Sequence, residues 1–384
     1  MLNQAPHDKP VPLDMPHTED AATNASDYPV EGFYTSTESA WEAMLQLCES
    51  AQSTIDLEEY ILESDVIGKR FCEVFLQKAK EGIKIRLLLD WWGCRPFFHS
   101  SEYKELLAAG VEIRPYRAPN ASWIRIPVPI TPRDHRKVLI VDDERVMAGG
   151  VCIYDKIRGW RDTMVTLNGD ITEQFQYIFN QTWRKTDNEN SVVKIHPNFE
   201  ASSDSSFSVY ANAPDADEHY FTDTLIWRID HAQHSIRMTT PYFTPGHRLY
   251  PALINALERG INVEIILSDY SKYMTYVVGK RIAGELARKG AHIYYYQPSM
   301  LHLKMMIIDE EWSAIGSCNL DGLSLHRNQE AMLCSSHPKF IQALMSHFNQ
   351  DLESVELMTL RDWQNRPMHE RIMGYLLLPL RSRL

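Results

Sequence analysis

His135, Lys137 and Asp142 share the spacing His-x-Lys-x-x-x-x-Asp with His302, Lys304 and Asp309. Imidazole serves as a nucleophile or a general acid near neutral pH, and a lysine ammonium suits a phosphate oxygen. One such match arises by chance in on the order of one chain in twenty of this length. Two copies with matched flanks do not. DHRKVLIVDDERVMAGG and LHLKMMIIDEEWSAIGS each run from the acid through a polar turn into a second apolar stretch. The first ends in Gly149 and Gly150, the second in Gly316 and Ser317. The side-chain pairs point to phosphate chemistry.

Strand alternation sends His135 and Lys137 to one face, and His302 and Lys304 likewise. Asp142 and Asp309 belong to the same candidate catalytic set by motif, but their opposite parity makes each a strand-closing turn or salt-bridge residue. Gly149 and Gly150 are expected to let backbone amides approach an anion, with Ser317 and Asn319 adding side-chain donors. Gly150 and Cys152 stand where the second copy has Ser317 and Asn319, so the two halves are unequal in donors. A catalytic imidazole needs a partner on its other nitrogen to fix the tautomer. Asp162 lies 27 residues after His135 and Glu330 lies 28 after His302, each opening an apolar run, and both are expected as orienting carboxylates. An isolated histidine at a strand start is more often structural. The repeat and the matched acids favour catalysis.

HRKVLIVD with GG and HLKMMIID with GSCN resemble the paired signatures of the phospholipase D superfamily. IDLEEYIL, GIKIRLLLD, SIRMTTPYFTPG and GSCNLDGLSLHRNQEA extend the resemblance over about residues 33 to 350, toward the bacterial cardiolipin synthase branch. That resemblance implies a phosphatidyltransferase acting on phospholipid phosphodiesters such as phosphatidylglycerol. One histidine attacks phosphorus to give a phosphohistidine, and the other protonates the leaving alcohol and activates the incoming one. It implies Lys137 and Lys304 as phosphate clamps, Ser317 and Asn319 as phosphate ligands, and neither cofactor nor metal. Cys152 departs from the asparagine of the pattern. The motifs define the bond and not the acceptor: water in place of an alcohol gives a phospholipase D that releases phosphatidic acid. The superfamily also includes nucleases, and a non-catalytic lipid-binding scaffold is a third class.

The elements repeat with the motifs. AQSTIDLEEYI matches AQHSIRMTTPYF, AKEGIKIRLLLD matches LERGINVEIILSD, and LLAAGVEIRPY matches LARKGAHIYYY. Alternating helices and strands predict a duplicated α/β fold of two lobes, each a mixed β-sheet flanked by helices, at residues 29–195 and 196–350. Each half holds one His-Lys pair, so the active site is expected between the lobes. Both motifs lie on one chain, so a monomer can build it.

Residues 1–28 read as a disordered acidic segment and 351–384 as an amphipathic tail. APNASWIRIPVPITPRD reads as a loop over the cleft. Trp91, Trp92, Phe97, Phe98, Trp123, Tyr270, Tyr273 and Tyr276 are candidates to face lipid, although loop aromatics more often pack. There is no signal-peptide pattern, and no apolar run reaches the roughly 18 to 20 residues that cross a bilayer. The net charge of -12 argues against nucleic acid as a partner. RIMGYLLLPLRSRL, with arginines and no acid after Glu370, fits an interfacial helix as well as a tail packed on the body. The six cysteines show neither metal-ligand spacing nor a disulfide framework, which fits a reducing compartment. With the resemblance, these lead to an expected peripheral position on the cytoplasmic side of a bacterial inner membrane, with a phospholipid as partner.

Overall fold

The computed structural model describes residues 28–118, 132–186, 206–213, 218–269 and 273–383. The expected disorder of the N-terminal segment, the loop over the cleft with Trp123, the aromatic Tyr270 and the division at residue 195 lie outside them, Tyr28 excepted.

Seven strands form the first sheet: β1 (Val30–Tyr34), β2 (Thr54–Glu59), β3 (Lys84–Asp90), β4 (Glu112–Tyr116), β5 (Val138–Val141), β6 (Arg145–Gly149) and β7 (Met164–Asn168). The second half supplies β8 (Phe207–Ala213), β9 (Glu218–His219), β10 (Ser235–Thr240), β11 (Phe243–Thr244), β12 (Asn262–Ser268) and β13 (His292–Tyr296). It continues with β14 (Met305–Ile308), β15 (Trp312–Gly316), β16 (Leu320–Asp321), β17 (Glu330–Ser335) and β18 (Val355–Leu357).

The first sheet runs β4-β3-β2-β5-β6-β7-β1. The second runs β13-β12-β10-β14-β15-β17-β8, the same order, with β18 and β9 added at its edges. In each, three parallel strands meet a group of antiparallel ones, at β2/β5 and at β10/β14. The parallel pairs need helical crossovers. The helices Val66–Lys80 and Ser101–Ala108 supply them in the first half, started by Asp65 and Ser100, whose side chains accept the Gly68 and Tyr103 amides. The duplication expected from the matched segments is thus visible in the topology. The second sheet extends past residue 350 through β18, so the segment after 350 is more than a tail.

The motif strands are apolar throughout because both faces are covered. Val138 and Ile140 share a core with Met305, Ile307, Ala331 and Leu333 of the other sheet. Leu139 and Val141 turn outward to the helices of their own half. The helices Asp170–Lys185 and Pro338–Leu352 pack into the same core through Phe175, Phe179, Phe340 and Leu344, so the two sheets face a shared apolar layer with further helices outside each.

The polar turns after β5 and β14 place Asp142 and Asp143, and Asp309 and Glu310, in left-handed backbone at φ 59°, 58°, 55° and 57°. Asp142 accepts the amides of Gln52, Ser53 and Thr54 at 2.9, 2.7 and 2.9 Å. Asp309 does the same for Gln233, His234 and Ser235 at 2.8, 2.7 and 2.9 Å. Each pins its hairpin to the loop entering the neighbouring parallel strand. Their motif membership as catalytic residues is thereby corrected: they stand at the far ends of strands whose near ends carry the histidines. Asp142→Ala is expected to lower the unfolding free energy in urea by about 1–3 kcal/mol while leaving the imidazole NMR signals of His135 and His302 in place.

Candidate active site

The extended segments 135–137 and 302–304 lead into β5 and β14, and each docks on the opposite lobe. The His135 amide donates to Gln329 O at 3.0 Å, and the His302 amide donates to Arg161 O at 2.7 Å. Isolated parallel bridges flank them at Asp134 with Gln329 and at Arg161 with Leu301. The next residue after each acceptor is an acid, Glu330 or Asp162.

Those acids cross the seam. His302 Nδ1 lies 2.6 Å from Asp162 Oδ2, and His135 Nδ1 lies 3.1 Å from Glu330 Oε2. Each acid serves the histidine of the other half, although the spacings of 27 and 28 residues run within one half. With Nδ1–H donating to the carboxylate, each Nε2 keeps its lone pair.

Lys137 and Lys304 donate to the carbonyls of their own histidines, Lys137 at 2.5 Å. Lys304 Nζ also lies 2.8 Å from His302 Nδ1 and 3.0 Å from its Nε2. Both lysines, both histidines and both acids are buried. Burial and the adjacent Lys304 push the His302 imidazole down to about 4, with Asp162 opposing. His135 is lowered as well, by burial first. Burial would raise the Asp162 carboxyl, but Lys304 and His302 hold it at about 2. Burial brings Lys304 down to about 8 against the pull of Asp162. His135 feels Lys304 and His302 feels Lys137, so the two pairs share one electrostatic site. At neutral pH it holds neutral imidazoles at His135 and His302 beside the Asp162 and Glu330 carboxylates and the Lys304 ammonium.

The expected anion contacts are corrected in three places. The Gly149 amide donates to Lys137 O at 3.3 Å and the Gly150 amide to Thr163 O at 2.9 Å, so neither is open to an anion. A Cβ on Gly150 would stand 2.3 Å from Asp162 Oδ1, so this position is glycine because the carboxylate fills the space. Ser317 donates to Glu330 Oε2 at 2.5 Å and accepts the Ala331 amide at 3.1 Å, holding the acid instead of reaching a ligand. The longer glutamate stands back and leaves room for a serine, while the shorter aspartate does not. Asn319 bonds to Asp321, and its buried Oδ1 has no protein partner. In the first half Cys152, also buried, bonds Glu59.

Other residues of the site carry weaker signals. Arg136, between the motif His135 and Lys137, has the opposite parity and enters the seam. It is fully buried, bonding Asp134 at 3.1 Å, Thr182 at 2.9 Å and Gln329 at 3.3 Å, with Glu58 3.4 Å away. The Tyr60 ring meets His135 at 4.8 Å, while Trp160 and Tyr242 meet His302 at 5.4 and 6.4 Å between centroids. Parity alone could have singled out Arg136; nothing in the pattern separates Trp160 from a packing tryptophan. Of the candidate lipid-facing aromatics, Phe97 is fully buried, Phe98 and Tyr276 are partly buried against the cores, Trp91 is partly buried, and Trp92 and Tyr273 are exposed. All six cysteines are buried and free.

Comparison with known proteins gives these observations a context. The family model described as cardiolipin synthase, phospholipase D-like domain, matches residues 44–183 and 225–352. The cardiolipin synthase of Halalkalibacterium halodurans is 30% identical over 342 residues, 85% of this chain and 67% of that protein. The major cardiolipin synthase of Bacillus subtilis is 27% identical over 86% of this chain and 70% of its own length. Among solved structures, the phosphatidylserine synthase of Haemophilus influenzae superposes with a TM-score of 0.72 at 13% identity, covering 92% of this chain and 95% of that one. The polyphosphate kinase of Porphyromonas gingivalis reaches 0.62 at 12% identity, over 98% and 57%. These two likenesses are of fold.

The unequal use of Gly150 and Ser317 makes a stability prediction. Gly150→Ala forces a methyl onto the Asp162 carboxylate and is expected to lower the urea unfolding free energy by about 1–3 kcal/mol. Ser317→Gly removes hydrogen bonds to Glu330 and Ala331 without crowding and is expected to cost about 1 kcal/mol. A larger loss for Ser317→Gly than for Gly150→Ala would contradict this packing.

Proposed function

The chain is a phosphatidyltransferase of the phospholipase D superfamily, in the family of cardiolipin synthase phospholipase D-like domains, and on that premise we propose that it joins a phosphatidyl group to the headgroup alcohol of phosphatidylglycerol. One histidine Nε2 attacks phosphorus, forming the P–N bond of a phosphatidyl-histidine as the P–O bond to the leaving alcohol breaks. The second histidine gives that alcohol its proton. An acceptor hydroxyl then attacks phosphorus, returns its proton to the second histidine and releases the first.

The single observation that carries this reading is the reciprocal pairing of His135 with Glu330 and His302 with Asp162. A carboxylate on Nδ1 stabilises the positive imidazole of either step and aims Nε2 at the cleft. The two lysines meet the oxygens of the phosphodiester, and the Asn319 Nδ2 amide can donate to one of them. Neutral imidazoles supply the nucleophile directly; the proton needed by the second is favoured once a bound phosphate offsets Lys137 and Lys304.

The test is purified protein with labelled phosphatidylglycerol in mixed micelles beside His302→Ala. Cardiolipin and free glycerol from the wild type alone are expected. Phosphatidic acid without cardiolipin would replace transfer by hydrolysis, and no lipid product at all would contradict the reading.

A pH profile follows from Lys304. Its charged form is lost as pH rises through about 8 instead of near the usual lysine value. Turnover is therefore expected to fall on the alkaline side near pH 8, and Lys304→Arg, which stays charged throughout, removes that limb whatever its absolute rate. An unchanged alkaline limb in Lys304→Arg would exclude this assignment.

A further inference from the structure

The helix Met368–Leu377 is apolar on two opposite sides. One side, with Met373, Gly374 and Leu377, packs on the helix Tyr273–Arg288: a Cβ on Gly374 would meet Val277 O at 3.2 Å, and Met373 and Leu377 join the second-half core. The other side is bare. Met368, Ile372, Tyr375 and Leu376 are 66%, 51%, 64% and 65% exposed. At 100° per residue these four fall within a ~100° arc, wide enough for a buried stripe. Leu380 in the following turn is 40% exposed, and Tyr273 and Met274 in the first turn of the neighbouring helix are exposed as well.

The segment that carries this stripe has a charge of a sign unlike the rest of the chain. Residues 361–383 hold five arginines and two acids, in a protein of net charge -12. Arg371 is exposed beside the stripe, and Arg281, paired with Glu285 at 2.6 Å, lies over the Tyr375 ring at 3.5 Å. One helix links the element that carries the stripe to the site. The helix Tyr273–Arg288 rests on β11, with Gly279 against Phe243 O, one residue after Tyr242, whose ring faces His302. Residues 378–383 pack on the helix Gly322–His326, which follows Asn319 and Asp321.

We propose that this bare face of Met368–Leu377, with its arginines, is the surface on which the protein sits on an anionic phospholipid bilayer. Apolar side chains enter the acyl boundary while the arginines meet phosphates at the headgroup level. The seating brings the substrate layer to the mouth of the cleft. This inference rests on the proposed phospholipid substrate and adds the surface that presents it. No described helix is long and apolar enough to cross a membrane, so the contact is of a helix lying in the interface.

The test uses the full chain with vesicles of phosphatidylcholine, with or without phosphatidylglycerol, read by co-sedimentation. The wild type is expected to bind the mixed vesicles in preference. Ile372→Glu with Leu376→Glu, both at exposed positions, is expected to lower the bound fraction more than about tenfold. The same variant is expected to keep its turnover on phosphatidylglycerol dispersed in detergent micelles, which also reports its folding. His302→Ala should bind vesicles like the wild type. A double variant that binds as well as the wild type overturns the proposal, as does a wild type that ignores mixed vesicles. Wild-type self-association abolished by the double variant, without vesicle binding by either, would give the face to a second copy of the chain. Vesicle binding lost in the double variant, with no micellar turnover by the wild type, would support the surface while sinking the chemistry proposed for the site.

Discussion

Two hydrogen bonds across the seam between the lobes, His302 to Asp162 and His135 to Glu330, are the constraint on which the rest of the site depends. They are backed by the backbone bonds from each histidine amide to the carbonyl just before the acid. Neither lobe alone orients its imidazole. Each half supplies a histidine, a lysine and an acid, but the acid is used by the other half, so the site exists only where the two lobes meet. Registering those sheets is the task of the shared apolar layer and of Arg136, which ties residues of both halves beneath the motif.

Burying six ionisable groups in one seam is costly unless their charges cancel. Here they do, because burial and the ammonium groups hold the imidazoles neutral and leave two carboxylates facing two lysines. The same balance sets the chemistry: a neutral imidazole with its Nδ1 committed has a lone pair to offer, and a phosphodiester brings the negative charge that the two lysines otherwise share with the acids. The pseudo-symmetry is broken where side chain length differs. Asp162 reaches its histidine only by crowding residue 150, which is glycine; Glu330 leaves a gap that Ser317 fills with a hydrogen bond. What reads in the pattern as a missing donor is a steric consequence of the shorter acid.

Much of this was legible in the residues. The matched segments around Ile55 and Ile236 foretold two lobes of one topology, and strand parity separated Asp142 and Asp309 from the histidines despite the motif that joins them. The crossing of the acids was not legible, because a spacing of 27 or 28 residues counts chain length and is the same whichever lobe the carboxylate faces. The glycine amides misled for a related reason: a small residue marks close approach, and the approaching group was a carboxylate and a sheet neighbour, not an anion from outside. Trp160 and Tyr242 gave no signal, since an aromatic ring near an imidazole is a property of the assembled seam.

The central claim is that each imidazole is held by the other half's acid, and nitrogen-15 NMR of the labelled histidine side chains tests it most directly. At neutral pH both His135 and His302 should carry their proton on Nδ1. Asp162→Asn should disturb the tautomer and shift of His302 and leave His135 in place, and Glu330→Gln should do the converse. If Asp162→Asn instead moves His135 while His302 is untouched, the acids serve their own halves and the composite site described above is wrong.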